Sequence, residues 1–479
     1  MIAIIDCYTD EPSGLGVPPY LGTYPRYLAG SIKDVVYFRI DDLRTAVKPP
    51  GVSPHKTQIL TYNKTKNAPR IIQVLSKAKA IIVIAGIHTP GKYLSAMPGT
   101  VVEASRLLKQ FKAKKVLTGP AAFGSSNIGG KIASSNFVGF DEVVQDLVGD
   151  DYENIANSAI QGAHIVKDIP GNLIVEIETS KGCSRKQGCS FCTEPLKSSF
   201  CIRPAKDVIA EVKVLKKLGV KHIRLGKQAD FYAHPEVELM LKEIGALKFE
   251  TFHIDNVNPA SVVTKNGEKI TKLIAKHCTA GNIASFGVES FDPAVIKANN
   301  LNSTPEMVMK AIKIINKYGA KPGKNGMPIF LPGINLLLGL INESALTFKK
   351  NLEALHQIMD SGLFLRRINI RQVDVFPGTP LAEFGLKYLK KNKKHYFRFN
   401  KQVREQIDHE MLKKIAPVGT ILKDLYTEIH DGKTTFCRQF GTYPLIVGIK
   451  EKLPLGEKIN VKIVGHMLRS LVGELQQSV

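Results

Sequence analysis

Glu178-Thr-Ser-Lys-Gly-Cys183-Ser-Arg-Lys-Gln-Gly-Cys189-Ser-Phe-Cys192-Thr-Glu-Pro195 holds three of the seven cysteines in this 479-residue chain. The apolar run Leu173-Ile-Val-Glu-Ile177 just before it reads as a buried strand. The cysteines therefore fall on a basic, glycine-bearing loop at a strand's carboxyl end. Thiolates on such a loop can converge on one soft metal centre, because a loop folds around a centre where a helix or strand does not. A [4Fe–4S] cube presents four iron corners. Cys183, Cys189 and Cys192 fill three of them and leave one iron open to a small chelating ligand. The competing reading is a zinc knuckle with Cys201 as the fourth thiolate. Cys7, Cys278 and Cys437 are scattered and read as small buried residues.

The remaining composition narrows the class. The length predicts two or three domains with ample core. No apolar run reaches the ~18 residues needed to span a membrane. The start, Met-Ile-Ala-Ile-Ile-Asp, reads as a first strand and not as a signal peptide. An odd cysteine count, with three close together, fits a reducing cytoplasm better than a disulfide framework. Lys and Arg number 66 against 43 Asp and Glu, a formal charge of +23, which favours a polyanionic partner and nucleic acid above all. A generally lysine-rich composition is the plainer explanation.

Taken in order, residues 1–150 alternate apolar runs (2–5, 35–40, 80–85 and 115–118) with helical patterns, which predicts a Rossmann-like parallel sheet covered on both faces. Ligands bind such sheets beyond the carboxyl ends of the strands, here the loops at 9–20, 86–91 and 118–124. Residues 151–166 read as a linking helix. From Leu173, strand patterns near 221–225, 249–254, 282–287, 334–340 and 367–375 alternate with helical ones. Six strand–helix units predict a partial (β/α)6 barrel over 151–384, with active groups at the carboxyl ends of its strands. On the loop after strand two, Asp230 is the candidate catalytic group, as a substrate-holding or proton-relaying carboxylate.

The cysteine loop, placed after the first barrel strand, resembles that of the radical S-adenosylmethionine (SAM) superfamily. The resemblance implies that the open iron chelates SAM, and that one electron from the cluster cleaves it to a 5′-deoxyadenosyl radical. The usual spacing has three residues in the first gap, and this chain has five, Ser184 to Gly188. The second gap is regular and puts Phe191 where the family places an aromatic near the adenine. Ala284-Ser-Phe-Gly287-Val-Glu289-Ser290 resembles the fourth-strand motif whose glutamate reaches SAM, while a solvated helix-start glutamate is the bland alternative. Gln228 lies where relatives contact the SAM amino group. Phe376-Pro-Gly-Thr-Pro-Leu381 resembles the barrel-closing segment of the methylthiotransferase group. The front segment is similar to cobalamin-binding-like domains, through Gly16-Val-Pro-Pro-Tyr-Leu-Gly-Thr-Tyr24 and Gly119-Pro-Ala-Ala122. His88 lacks the cobalt-ligand motif, which leaves that domain either a histidine-free cobalamin site or an empty relic. One cysteine before residue 183 cannot build the second cluster that methylthiotransferases carry.

The basic segment 385–418 contains Lys390, Lys391, Lys393, Lys394, Arg398, Lys401 and Arg404 in a run, 387–404, without a single Asp or Glu. Cations neutralise phosphates, and the interleaved Tyr388, Tyr396, Phe397 and Phe399 can stack on bases. A solvated helix face usually mixes signs. Residues 419–479 change to short β-like runs with Asp-Gly and Pro turns and predict a small β-rich domain, similar to the RNA-binding TRAM module. The whole resembles archaeal radical SAM proteins of the methylthiotransferase-like group. It implies an enzyme that uses a [4Fe–4S] cluster, SAM, an electron donor and cobalamin if the front domain holds it. Its expected substrate is RNA, tRNA first, modified at an unreactive carbon, with C-methylation as the concrete version. The rivals are a radical SAM enzyme acting on a protein or small metabolite, and a zinc-stabilised RNA-binding protein without catalysis.

Overall fold

The computed structural model describes residues 1–8, 20–47, 63–86, 98–125, 129–135, 137–171 and 173–476. In the front segment the parallel strands β1 (Ile2–Asp6), β2 (Val35–Arg39), β3 (Ala80–Ile84) and β4 (Lys114–Thr118) lie in the order β2-β1-β3-β4, with the pair Glu142–Val143 beyond β4. Strand side chains alternate between faces. Ala3, Ile5, Ile81, Val83 and Leu117 face one core, beneath Leu43, Leu75 and Leu107 of the covering helices. Ile4, Tyr37, Ile82, Ile84 and Val116 face the other, and that core is continuous with Val175, Ile223 and Leu225 of the central barrel. The front segment and the barrel therefore share one continuous core across residue 150. The strand order reverses between β1 and β3, where such sheets hold ligands. The loops that follow these two strands include residues 9–19 and 87–97, which lie outside the described residues, and with them His88 and the first four residues of the opening motif.

The central barrel has strands β5 (Ile174–Glu178), β6 (His222–Gly226), β7 (Thr251–Ile254), β8 (Asn282–Glu289), β9 (Phe330–Leu338) and β10 (Arg367–Gln372), parallel and in chain order. Asp255 separates β7 from Asn256–Val257, which pairs with β8 and divides the barrel wall into two sheets. The front segment borders both open edges. Tyr20–Leu21 pairs parallel with β5, and residues 131–133 bond to Val375 just past β10.

Two helices join the front segment to the barrel. α1 (Thr23–Ser31) crosses α2 (Tyr152–Gly162) in backbone contact: a Cβ added to Gly162 would stand 1.7 Å from Arg26 O, and one on Gly30 1.9 Å from Ser158 O. Only glycine allows that approach. It brings Arg26 to Glu211 of the barrel helix Ala205–Lys217, where Arg203 bonds the other carboxylate oxygen, and all three side chains are fully buried.

After β10 the chain forms α3 (Lys387–Gln402), a π-helical turn (Val403–Asp408) and α4 (His409–Ile415). A closed barrel follows, with strands β11 (Ile421–Asp431), β12 (Thr434–Arg438), β13 (Val447–Ile449), β14 (Lys458–His466) and β15 (Leu471–Leu475). Its first and last strands are absent from the sequence pattern, because charged residues interrupt both. This barrel docks at the amino ends of the central strands. Its core residues Leu422, Leu425 and Val461 pack with Ile283, Met327 and Leu331. No helix among the described residues is long and apolar enough to cross a membrane.

Candidate active site

A cavity of about 800 Å³ opens at the carboxyl ends of β5–β10. Its barrel wall includes Glu178, Gln228, Glu289, Asn335 and Arg371, and Tyr24, Pro120 and Phe123 of the front segment roof it. Gly119, at φ +90, starts the roof turn Pro120–Phe123, and a Cβ there would press on Ala85 O at 3.0 Å.

The cysteine loop lies at one side of this cavity, and the structure shows what holds its long first gap. Asn300 Nδ2 donates to the carbonyls of Gln187 (2.9 Å) and Gly188 (3.1 Å), and Arg185 Nη2 donates back to Asn300 O (2.7 Å). Ser190 binds Asn299 through both N–H (3.0 Å) and hydroxyl (2.6 Å). Leu381 N of the barrel-closing segment donates to Ser190 O. Asn299 and Asn300 follow the short helix after β8, so the fourth strand and the cysteine loop are clasped together. The sequence carries that signal only as an Asn-Asn pair at a helix end.

Cys183, Cys192 and Glu289 all lie within electrostatic reach of Cys189. Burial pushes the Cys189 thiol up, opposed by Arg185, whose Nη1 donates to Cys189 Sγ at 3.3 Å. Burial pushes Cys192 up to about 11. Among the described residues no group of three or more His, Cys, Asp or Glu side chains gathers closely enough for one ion. A cube is held at separate corners, and its iron deprotonates coordinating thiols outright. Cys201 sits elsewhere: it pairs with Lys181 in a two-residue ribbon and packs near Tyr152 and Val148, whereas Cys189 and Phe191 pack near Val295 and Leu301.

Glu289 ends β8 on a bulge at φ +62, and the neighbouring Gly287 leaves room for its carboxylate: a Cβ on Gly287 would stand 3.2 Å from Oε1. Burial pushes Glu289 up to about 8 against the pull of Arg371, a carboxyl that would gain from a cationic partner. Phe191, Gln228 and Glu289 line the cavity, but Gly287 does not. Gln228 is buried, accepting from Thr179 Oγ1 (3.3 Å) and donating to Leu225 O (3.2 Å).

Two further expected site residues are placed otherwise. Asp230 does not line the cavity. Its Oδ1 accepts from the N–H of Tyr232 (3.1 Å) and of Asn258 (3.0 Å), and its Oδ2 from Ser261, so both oxygens tie down the loop after β6. Arg404 is buried, bonded to Ile368 O (2.7 Å) and Asp408, because it falls in the π-helical turn rather than on the exposed helix face. Lys390, Lys391, Lys393, Lys394, Arg398 and Lys401 are exposed on α3. At ~100° per residue, Lys391, Lys394, Arg398 and Lys401 form one stripe, opposite the buried Leu389, Asn392 and Phe399. Tyr396 of the same helix lines the cavity.

Sequence reasoning passes over two features of the wall. Glu178, the last residue of β5, accepts from Tyr152 OH (3.2 Å) and is pushed by burial up to about 7, with Lys181, Arg203 and Lys227 opposing. Asn369, Asn335 and Ser285 form a hydrogen-bonded chain across β10, β9 and β8 (3.3 and 3.2 Å). Period-2 alternation hides such inward polar residues among apolar neighbours.

Comparison with known proteins agrees with this geometry. The Radical SAM superfamily model matches residues 177–336. A protein of Methanocaldococcus jannaschii described as uncharacterized is 41% identical, over 99% of this chain and 93% of its own length. The ribosomal protein uS12 methylthiotransferase RimO of Elusimicrobium minutum is 26% identical, over 46% of this chain and 48% of its own. The radical S-adenosylmethionine methyltransferase TsrM of Kitasatospora setae, solved with tryptophan and a SAM analogue, superposes with a TM-score of 0.52 at 12% identity, over 90% of this chain and 79% of that one. The same enzyme solved with cobalamin and a [4Fe–4S] cluster gives 0.50 at 12% identity, over 80% and 76%. At that identity the likeness shows the fold.

Proposed function

The chain belongs to the radical SAM superfamily, and within it we propose an enzyme that modifies RNA, tRNA first, at an unreactive carbon. Its cofactors are a [4Fe–4S] cluster and SAM, supplied with electrons by a donor protein. In this reading Cys183, Cys189 and Cys192 hold the cluster. Glu289 and Gln228 position the cationic methionine end of SAM, and Phe191 packs beside its adenine. When bound and reduced, this pair supplies a 5′-deoxyadenosyl radical. Glu289→Ala is expected to weaken SAM binding and leave the iron content unchanged.

The observation that carries the RNA reading is the double face of α3. Lys391, Lys394, Arg398 and Lys401 form its exposed stripe, and Tyr396 lines the cavity. In this reading an RNA held by its phosphates along the stripe offers one unstacked base to the cavity, as enzymes acting on bases require. The front sheet supports a methyl-carrying cobalamin version, since its β1/β3 crossover is where such sheets hold ligands. Comparing the modified nucleosides of a deletion strain with those of its parent tests the reading. Loss of one methylated nucleoside supports it, and an unchanged nucleoside profile overturns it. A second reading is favoured by the methylthiotransferase relative, whose name gives a ribosomal protein as its substrate. In that case the deletion strain would lose a protein modification and keep every nucleoside. Both readings place the chain in a reducing, cytoplasmic setting.

A further inference from the structure

Away from the cavity mouth, where the closed barrel meets α3 and α4, four guanidinium groups come together. Arg367 opens β10 and Arg366 directly precedes it. Arg366 Nη2 donates to Tyr443 O, and the Arg367 guanidinium lies 3.5 Å from the centre of the Tyr443 ring. Arg404 reaches Ile368 O from the π-helical turn. Arg469 stands on the tight turn between β14 and β15, closed by Met467 N donating to Ser470 O (2.8 Å) and held against α4 by the His409 ring at Met467 O (3.1 Å).

The balance of charge here is unusual. The charges acting on Arg366 are Arg367, Arg469 and the Asp408 carboxylate, and those acting on Arg469 are Arg404, Arg367 and the same Asp408. Among the described residues, then, four cations share one carboxylate, a net charge of +3. Burial, helped by Arg367, brings Arg366 down to about 10, so it still carries its charge at neutral pH. Gathering like charges in a half-buried seam is unfavourable unless a counter-charge is brought to it. Guanidinium groups offer planar, forked donors that match phosphate oxygens in pairs. Arg469 is exposed and Arg366 and Arg367 are half-buried, so the seam has an accessible side. π-Helical turns concentrate at functional sites, and this one supplies both Arg404 and Asp408.

We propose that the seam formed by Arg366, Arg367 and Arg469 binds a phosphate of an RNA backbone, as a second anchor beyond the α3 stripe. The occupant is argued from continuity. Lys401, the last cation of the stripe, lies three residues before Arg404, so one helical rod leads from the stripe into the seam. The bound strand then runs from the cavity wall at Tyr396 down to the closed barrel, which gives that barrel a part in holding RNA although it sits at the opposite end from the cavity mouth. This rests on the RNA reading above.

The test uses the full chain, a pool of unmodified tRNA transcripts, and thermal melts in inorganic pyrophosphate. Arg469→Glu is expected to weaken tRNA binding about tenfold and to reduce the salt slope by about one. Arg469→Lys should recover most of the affinity. Pyrophosphate should raise the melting temperature of the parent more than that of Arg469→Glu, and SAM cleavage without substrate should be unchanged in all three. If the parent binds tRNA and Arg469→Glu binds it equally with the same slope, the seam is overturned while the RNA reading stands. If pyrophosphate stabilises the parent selectively but no tRNA binds, the RNA occupant and the RNA reading both fall.

Discussion

The ring of Phe440, from the closed C-terminal barrel, stacks on the imidazole of His222 at the start of β6, with centroids 4.1 Å apart and planes 9° apart. Beside it Thr442 N donates to His253 Nδ1 at 2.9 Å, so that nitrogen must be unprotonated. The interface between the two barrels is thus built on two neutral histidines. Burial holds His222 at about 3 and His253 at about 4, with Lys458 and Lys221 adding to the first and Arg224 to the second, while Glu250 opposes on His222.

Acid sensitivity of that interface follows with a definite sign. The folded values lie below the unfolded value of about 6.5, so unfolding takes up protons and acid favours it. The stabilising contribution of each neutral ring is full above pH ~6.5 and is lost towards pH 3–4, by at most ~1.4 kcal/mol per pH unit. His222→Gln should lower the melting temperature at pH 7.5, where the stacked ring is lost, and the difference from the parent should shrink steadily between pH 6.5 and 5. A pH-independent difference would show that His222 is not held neutral.

Glu211 sits between Arg26 and Arg203 with no solvent access to any of the three side chains. Removing the anion leaves two buried guanidinium groups facing each other, and breaking a buried pair costs ~3–5 kcal/mol. Glu211→Gln should therefore shift chemical denaturation by about that amount. Because Arg26 belongs to α1, it should also expose the α1–α2 crossing to limited proteolysis before the barrel is cut. Denaturation within 1 kcal/mol of the parent would contradict this.

The barrel is legible because its signal is repeated: six apolar runs separated by helical patterns leave few alternatives, and the cysteine loop fixes which strand is first. Less is legible where function depends on what faces what. Asp230 reads as an active-site carboxylate from its place in a loop after β6, but two N–H groups and Ser261 occupy it. Arg404 belongs to an acid-free run in sequence, yet the switch from α- to π-helix turns it inward onto Asp408. The clasp of Asn300 on Gln187 and Gly188 joins segments more than one hundred residues apart, and no local pattern announces it. The docking of the closed barrel at the amino ends depends on His222 and Phe440, ordinary residues until they meet.

Arg185 lies inside the long first gap of the cysteine loop and donates to Cys189 Sγ. A cation and hydrogen bond at a cluster thiolate stabilise the more negative, reduced state, one of the levers that set iron–sulfur potentials. Arg185→Met should keep about four iron per chain, where Cys183→Ala, Cys189→Ala or Cys192→Ala lose them and Cys201→Ala does not. It should lower the midpoint potential by tens of millivolts, since one electron at about 59 mV is ~1.4 kcal/mol. Redox titration followed by electron paramagnetic resonance reads the shift, and an unmoved or raised potential would sink the assignment.

Charge placement on α3 separates binding from stability. Lys391, Lys394, Arg398 and Lys401 are exposed on one stripe, whereas Arg404 is buried against Ile368 O and Asp408. Replacing the four stripe residues by Ala should leave the melting temperature within a degree or two, because exposed cations contribute little to folding. Every phosphate left without its cation should take ~0.7–0.9 from the slope of log affinity against log salt, so tRNA binding should become weaker and flatter in salt. Arg404→Ala should do the reverse. It strands a buried carbonyl and a carboxylate, at ~1–3 kcal/mol, while reducing the salt slope by much less than the stripe variant does. SAM cleavage without substrate should persist in the stripe variant, since none of its four residues lines the cavity. If the stripe variant bound tRNA with parental affinity and slope, α3 would be only a solvated face, and the RNA reading would be left with net charge alone.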